Sequence, residues 1–405
     1  MCRSNADGTG RRCNCDSSEK RLLRRRNREA IQSVTLAPER PPAPRPGPRP
    51  GPPAAQQVDP ATPISITGTP TDEECREQVR TVHELRDEWR TLTETEELGR
   101  YSIPARKKMK EIERETRRLG AMVNTVVEAE TGKTDAEYVQ EWEDKVENLR
   151  KTVGDSALLQ PAASTDGVLA REYLVKRGDQ LRSVMSRIRP LGGDMRVMMT
   201  EHNEGKLADM HAEMVSYLPS EWVERSNEAP PIEVETAYIS GGQDGFYVRG
   251  ESIALNKEYV PSPPEDYWWA DQGAEAEDNG HYEFQETISK STLLHETVHH
   301  MEYVNRTTGD GSIIEAEAAF IKRRTTHDGV RDEEETFRSD ADFKIRPDSF
   351  ADRYMGREYD GNSFEVLTVG AESVFRGKNG GFMGLLNSRP DPDTKHFVIG
   401  SWLTL

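Results

Sequence analysis

Apolar residues recur at alternating intervals of three and four between Asp72 and Val153, with charged residues between them. This spacing puts the apolar side chains on one helix face, as in the a and d positions of a coiled coil. The apolar positions are Val82, Leu85, Trp89 and Leu92, then Met109, Ile112, Thr116, Leu119, Val123 and Val126, then Trp142, Val146, Leu149 and Val153. Breaks near Tyr101–Pro104 and Thr131–Thr134 separate three helices. The pattern therefore predicts an antiparallel helical bundle, with further helical stretches to about Leu218.

The periodicity changes after Pro219. Ile232–Ser240 alternates apolar and polar residues as a strand does, and Phe246–Val248 and Ser252–Leu255 are predicted as two more short strands. A helical stretch follows from about Gln285. Strands and helices in separate runs predict the α+β class, with a small mixed sheet in the C-terminal part.

The N-terminal residues follow neither pattern. Residues 38–53 contain nine prolines among Arg, Gly and Ala, which is typical of a polyproline II spacer. A basic run covers Lys20–Arg28, and Cys2, Cys13 and Cys15 precede it. The cysteines lack the paired spacing of zinc modules, so we interpret them as thiols of a tail rather than as a metal site completed by Cys75. We predict three regions: a disordered basic and Pro-rich tail (1–70), a helical bundle (71–218) and a C-terminal domain (219–405).

Charge is distributed unevenly along the chain, whose formal net charge is −18. Residues 1–56 hold 12 Lys/Arg and 5 Asp/Glu, whereas residues 220–405 hold 18 basic and 36 acidic groups. The acidic total argues against bulk nucleic-acid binding, apart from a weak contact by the basic N-terminal arm. No apolar run is long enough to cross a membrane, and the N-terminus lacks the apolar segment of a secretory signal. Four cysteines favour a reducing compartment, so we expect a cytoplasmic protein, or a virion or delivered protein that uses a non-classical route.

The chemistry is concentrated in the sequence STLLHETVHH, residues 291–300. His295 and His299 are four residues apart, so one helix face presents both imidazoles, and such a pair can bind one Zn²⁺. Glu296 would lie beside the open coordination position, where a carboxylate can accept a proton from a metal-activated water. This is the HExxH arrangement of metalloproteases. His300 points about 100° away around the helix and is not expected to be a ligand.

A catalytic zinc site needs a third protein ligand. Glu365 has apolar neighbours, and a Glu in such surroundings is costly unless it is paired or bound to a metal, so it is the favoured candidate. The alternatives are Glu317, Glu315 and Glu372. Glu315 and Glu317 precede a basic run that favours ion pairs for them.

The stretch from Pro219 to Leu405 resembles a zincin metallopeptidase domain. More narrowly, it resembles metalloprotease domains of actinobacterial and phage-derived proteins, through segments such as STLLHETVHHMEYV and RYMGREYDGNSFEVLTVGAESVF. It is similar, more distantly, to the anthrax-lethal-factor-like clan. The resemblance implies that His295, His299 and Glu365 bind the metal and that Glu296 is the general base. It also implies that Tyr359, or else Tyr354, stabilises the oxyanion.

These observations lead to the hypothesis of a zinc-dependent endopeptidase that acts on a protein or peptide substrate. Phe246–Leu255 would supply an edge strand for that substrate. The acidic surroundings hint at basic substrates. One alternative is a non-catalytic phage-derived structural or adaptor protein that retains a zincin fold. Another is a delivered metalloprotease toxin. Phage or toxin-system partners would accompany either alternative.

Overall fold

The structure is a computed structural model. It describes residues 64–97, 99–153, 165–199, 205–239, 245–256, 275–307, 312–327, 330–336, 344–346, 348, 350–357, 364–385 and 389–405. The chain divides into two compact units, Met1–Val58 and Asp59–Leu405, and every described residue belongs to the second unit. The predicted tail (1–70), with Cys2, Cys13 and Cys15, lies outside the described residues except for 64–70.

The described elements are mainly helices, interrupted by runs of short strands. The helices are α1 (Asp72–Thr95), α2 (Ile103–Thr131), α3 (Asp135–Val153), α4 (Thr165–Ile188), α5 (Lys206–Val215), α6 (Ser220–Glu228), α7 (Glu275–Thr307), α8 (Ser312–Arg324), α9 (Val366–Arg376) and α10 (Pro392–Thr404). The strands are β1 (Val197–Met199), β2 (Ile232–Ala237), β3 (Gly245–Val248), β4 (Ser252–Asn256), β5 (Thr326–His327), β6 (Val330–Arg331), β7 (Glu335–Thr336) and β8 (Lys344–Ile345). Short 3₁₀ turns cover Gly99–Tyr101, Arg353–Gly356 and Lys378–Phe382.

The first three predicted helices are confirmed as α1, α2 and α3, and local sequence explains where they begin and end. Thr71 and Glu74 form a reciprocal capping box at the start of α1. The Ser102 side chain accepts a hydrogen bond from the Ala105 N–H at the start of α2. Gly132 ends α2 with φ = 64°, a left-handed conformation that glycine adopts at little cost.

A four-stranded mixed sheet has the order β1-β2-β4-β3. The β1–β2 and β2–β4 pairs are parallel, whereas β3 runs antiparallel to β4. The three predicted strands are confirmed as β2, β3 and β4. Strand β1 was not predicted, because it is only three residues long and lies in a stretch predicted as helical. Helix α7 begins ten residues before its predicted start near Gln285, because residues 275–284 carry no apolar periodicity to indicate a helix.

One hydrophobic core joins helices of the predicted helical bundle (71–218) with helices of the predicted C-terminal domain (219–405). It contains Leu119 of α2 and Met185 of α4 together with Leu294 of α7, Phe375 of α9 and Trp402 of α10. Helix α10 packs along α2, and α9 packs between α4, α7 and α10. The predicted boundary between residues 218 and 219 therefore falls inside this core. Among the described helices, none combines the length and apolar character that a membrane crossing requires.

Candidate metal centre

Helix α7 carries two histidines on a segment that is buried on nearly every side. Leu293, Leu294 and Val298 have no exposed surface, as expected for a helix that packs against both the sheet and other helices. His295 and His299 are one helical turn apart, with ring centroids separated by 4.9 Å. Packing of the surrounding apolar residues therefore fixes the direction in which both imidazoles project.

Glu365 brings a carboxylate to both imidazoles from a distant part of the sequence. It immediately precedes α9 and is fully buried. Its Oε2 lies 3.3 Å from Nε2 of His295 and 3.4 Å from Nε2 of His299. The Thr368 hydroxyl donates a hydrogen bond of 2.9 Å to the same oxygen, which fixes the carboxylate orientation.

These three side chains have the spacing of a metal-ligand set. Their candidate ligand atoms all lie within 4.8 Å of one another. Tetrahedral zinc with bonds of about 2.0–2.1 Å has neighbouring ligand atoms about 3.3–3.4 Å apart. The two distances from Glu365 Oε2 match that separation. His295, His299 and Glu365 together could hold a metal ion.

A second carboxylate lies behind each imidazole. Nδ1 of His295 is 3.2 Å from Oε2 of Glu372, and Nδ1 of His299 is 3.3 Å from Oε2 of Glu302. The Ser291 hydroxyl and the Lys378 ammonium both donate to Glu372. In metal-binding histidines, the ring nitrogen away from the metal commonly donates a hydrogen bond to a carboxylate. This bond fixes the orientation of the ring and increases its basicity.

The carboxylates dominate the electrostatics of the site. Burial acts to lower the pKa of His295, but Glu372 and Glu365 outweigh it and raise that pKa to about 9. Burial likewise opposes a charge on His299, yet Glu365 and Glu302 raise its pKa well above the usual value. Burial acts to raise the pKa of Glu365, but His299 and His295 outweigh this effect and hold that pKa well below its usual value. The buried carboxylates therefore favour positive charge at this centre, carried either by protons on the histidines or by a bound metal ion.

Glu296 differs from the other carboxylates of the site. It is 7% exposed, and burial raises its pKa although His295 and His299 act in the opposite direction. A carboxylate with a raised pKa is a better proton acceptor than an ordinary surface glutamate. The Glu296 carboxyl group therefore holds a proton more strongly than an exposed glutamate does.

Comparison with protein-family models, with curated proteins and with solved structures yields no match for this chain.

The other glutamates considered as the third ligand lie elsewhere. Glu372 contacts the far side of His295, as described above. Glu315 forms an ion pair of 2.5 Å with Arg100, as its basic surroundings suggested. Glu317 does not form the expected ion pair with any described residue: it is fully buried, and its Oε1 accepts a hydrogen bond from the Leu367 N–H. Burial, followed by the nearby Glu302, raises the pKa of Glu317 well above its usual value.

The tyrosine expected to stabilise the oxyanion, Tyr359, lies outside the described residues. The alternative, Tyr354, accepts a hydrogen bond of 3.0 Å from Arg357. His300 faces away from the three candidate ligands, with Nε2 3.0 Å from Ser226 Oγ and Nδ1 3.3 Å from the Tyr247 hydroxyl.

Sequence reasoning missed Glu302 and Tyr247. Glu302 follows His299 by three residues on the same helix, a spacing that could have indicated the contact. Tyr247 pairs with the buried Ile253 across β3 and β4, so its ring faces α7 and lies nearly parallel to that of His299, with centroids 6.5 Å apart. Only the register of the sheet brings this tyrosine to the site.

Proposed function

We propose that this protein is a zinc-dependent peptidase. The observation that carries the proposal is the approach of the buried Glu365 carboxylate to Nε2 of both His295 and His299 at tetrahedral ligand spacing. Two imidazoles and one carboxylate form the His₂Glu set that catalytic zinc sites use, with the fourth position left for water or substrate. Carboxylates behind both histidines support the same conclusion, because they increase the basicity of the ligands.

A zinc ion in this set would supply Lewis acidity to the scissile carbonyl and would lower the pKa of the attacking water. Glu296 accepts the proton that this water loses as its oxygen adds to the carbonyl carbon. Glu296 then gives that proton to the amide nitrogen as the C–N bond breaks, so the amine leaves neutral. Burial of Glu296 supports this role, because its raised pKa lies closer to that of the groups with which it exchanges protons.

Strand β3 provides a place for an extended peptide. It is the last strand of the described sheet, so one of its sides pairs with β4 and the other is the sheet edge. The Tyr247 ring on β3 lies nearly parallel to that of His299. A peptide added to this edge would pass close to the metal centre. Of the predicted segment Phe246–Leu255, β3 is therefore the proposed substrate strand and β4 its support. Stabilisation of the oxyanion by Tyr359 remains part of the proposal.

The test combines metal analysis with one conservative substitution in the full chain. We expect about one zinc per chain and hydrolysis of an unfolded protein such as casein. Glu296→Gln preserves shape and should retain the zinc while lowering the hydrolysis rate by about 10²–10⁴-fold. Glu315→Gln, on an exposed ion pair, is the matched control and should change neither quantity.

Two results would contradict the proposal in different ways. Purified chain that binds no zinc under saturating conditions would remove the metal centre. Chain that binds zinc but hydrolyses no casein would favour the non-catalytic alternative, and a rate that Glu296→Gln leaves unchanged would remove Glu296 from the mechanism.

A further inference from the structure

A small cavity adjoins the metal centre on the side of His299. Its volume is about 30 Å³, which is enough for about two waters or one carboxylate group. Strand β3 and the turn after it supply Tyr247 and Arg249, and the end of α7 supplies Glu302, Tyr303 and Arg306. The cavity therefore lies where the proposed substrate strand meets the candidate metal site.

The turn that carries Arg249 is fixed against α7. Gly250 has φ = 70°, and its N–H donates a hydrogen bond of 2.7 Å to the Tyr247 hydroxyl. A Cβ at Gly250 would lie 2.9 Å from the Tyr303 ring, so only glycine allows the backbone to approach this closely. The adjacent Arg249 is exposed, and its backbone is held at the mouth of the cavity.

The charges that line this cavity favour an anion. The Oε2 atom of Glu302 is 3.3 Å from Nδ1 of His299, so this carboxylate is already in contact with the metal centre. Arg306, one helical turn after Glu302, contributes a positive charge to the same lining. Arg249 then adds a positive charge, and no acidic side chain among the described residues forms an ion pair of 4.0 Å or less with it.

We propose that this cavity binds a carboxylate of the substrate through Arg249, next to the bond that is hydrolysed. This inference rests on the proposed peptidase function and specifies its substrate class. The carboxylate belongs either to an Asp or Glu side chain or to the C-terminus of the peptide, because both present the same anion to a guanidinium. The local charge thus selects acidic rather than basic groups, opposite to the preference suggested by the acidic composition.

The experiment measures peptide binding to the zinc-loaded full chain that carries Glu296→Gln, so that no turnover interferes. The probes are acetylated alanine pentapeptides with Glu, Gln or Lys in the middle, each made as a free acid and as a C-terminal amide. Calorimetry should show about tenfold tighter binding for a peptide with the recognised carboxylate than for its neutral counterpart. Comparison of the amidated Glu peptide with the amidated Gln peptide tests for recognition of a side-chain carboxylate. Comparison of the Gln peptide as free acid with the same peptide as amide tests for recognition of the C-terminal carboxylate.

Two further substitutions assign the effect to the cavity. Arg249→Gln should abolish the preference, and Arg249→Glu should shift it towards the Lys peptide. Arg114→Gln, at an exposed arginine of α2 that pairs with Glu115, is the control and should leave the preference intact. Equal binding of all probes, absence of binding, or a preference that survives Arg249→Gln would overturn the inference.

Casein hydrolysis by the chain without Glu296→Gln is measured on a parallel preparation. If hydrolysis persists while the carboxylate preference is absent, the cavity inference fails and the peptidase function stands. If zinc binding and hydrolysis are both absent, the peptidase function itself fails.

Discussion

Buried carboxylates have distinct roles around the two histidines. Glu365 meets Nε2 of both rings, whereas Glu372 and Glu302 contact Nδ1 of His295 and His299 respectively. A buried carboxylate without a partner costs several kcal/mol, so each of these groups depends on the histidine that it contacts. The candidate metal site is consequently a network in which the orientation of one side chain depends on the charge of the next.

Removing the charge behind one histidine should weaken metal binding without removing a ligand. We expect Glu372→Gln or Glu302→Gln to lower zinc affinity by about 10–100-fold, because the histidine becomes less basic and less firmly oriented. Competition with a chromophoric chelator at fixed pH measures this change. Glu315→Gln should retain the original affinity, and equal affinity in all variants would exclude an orienting role for Glu372 and Glu302.

His211 predicts an acid-sensitive contribution to stability. It is 4% exposed, its Nε2 has no hydrogen-bond partner among the described residues, and burial lowers its pKa to about 4. The unfolded chain protonates this residue near pH 6.5, whereas the folded chain keeps it neutral until about pH 4. Its contribution to the free energy of unfolding is therefore present above pH 6.5 and is lost as the pH falls from 6.5 to 4.

Because of His211, the free energy of unfolding should fall by about 2 kcal/mol between pH 7 and pH 5. His211→Phe removes the titrating group, and the cavity of about 650 Å³ beside it leaves space for the larger ring. Urea unfolding at both pH values measures the difference. Between these pH values, the free energy of unfolding of the substituted chain should fall by about 2 kcal/mol less than that of the original chain. Equal falls in the two chains would show that His211 does not cause the acid sensitivity.

At the scale of elements, the crossing of α2 and α10 depends on two glycines. A Cβ at Gly120 of α2 would lie 1.9 Å from the His396 carbonyl oxygen. A Cβ at Gly400 of α10 would lie 1.8 Å from the Thr116 carbonyl oxygen. The two helix backbones are thus in direct contact, and neither can move away without opening the core that they share.

Gly120→Ala should destabilise the protein although alanine is the better helix former. At an open helix position the change would stabilise by about 1 kcal/mol, but here the new methyl group must separate α2 from α10. We expect a net loss of about 3 kcal/mol in the free energy of unfolding, measured by urea titration. Lys110→Ala, at an exposed position of the same helix, should stay within about 0.5 kcal/mol of the original chain, and similar effects of the two substitutions would contradict the close crossing.

At the scale of the whole molecule, the helices before residue 219 complete the core around α7 and α9, which position the candidate metal ligands. Helix α9 carries Glu372 and packs against α4, and Gly178 of α4 approaches the Phe375 backbone so closely that a Cβ would be 2.7 Å from its carbonyl oxygen. The Trp222 indole donates a hydrogen bond to the Leu405 carbonyl, and the Arg189 guanidinium donates to the Trp402 carbonyl. The candidate site is therefore supported by elements from both predicted regions.

A fragment of residues 219–405 should fail to form the metal site. Loss of α2 and α4 would expose the apolar residues of α9 and α10 that pack against them. The fragment contains no other described element to cover these residues. We expect residues 59–405 to give cooperative thermal unfolding and about one bound zinc, and the shorter fragment to give neither. Circular dichroism and metal analysis provide the comparison, and a folded, zinc-binding 219–405 fragment would show that the helical region is dispensable.

The sequence by itself determined the features that depend on neighbouring residues. Helical periodicity located α1, α2 and α3, alternation located β2, β3 and β4, and four-residue spacing placed His295 and His299 on one helix face. These patterns are readable because local backbone geometry sets which side chains share a face. The three-residue β1 and the start of α7 have no such pattern.

Tertiary structure alone decided which distant residues meet that helix. The sequence favours Glu365 for its apolar neighbours and leaves Glu317, Glu315 and Glu372 as alternatives. Packing of α9 against α7 places Glu365 at both Nε2 atoms and Glu372 at Nδ1 of His295. The position of Arg249 likewise depends on sheet register and on the contact between Gly250 and Tyr303. Contacts between residues 77 positions apart, as for His295 and Glu372, depend on how whole elements pack, and local spacing does not encode that arrangement.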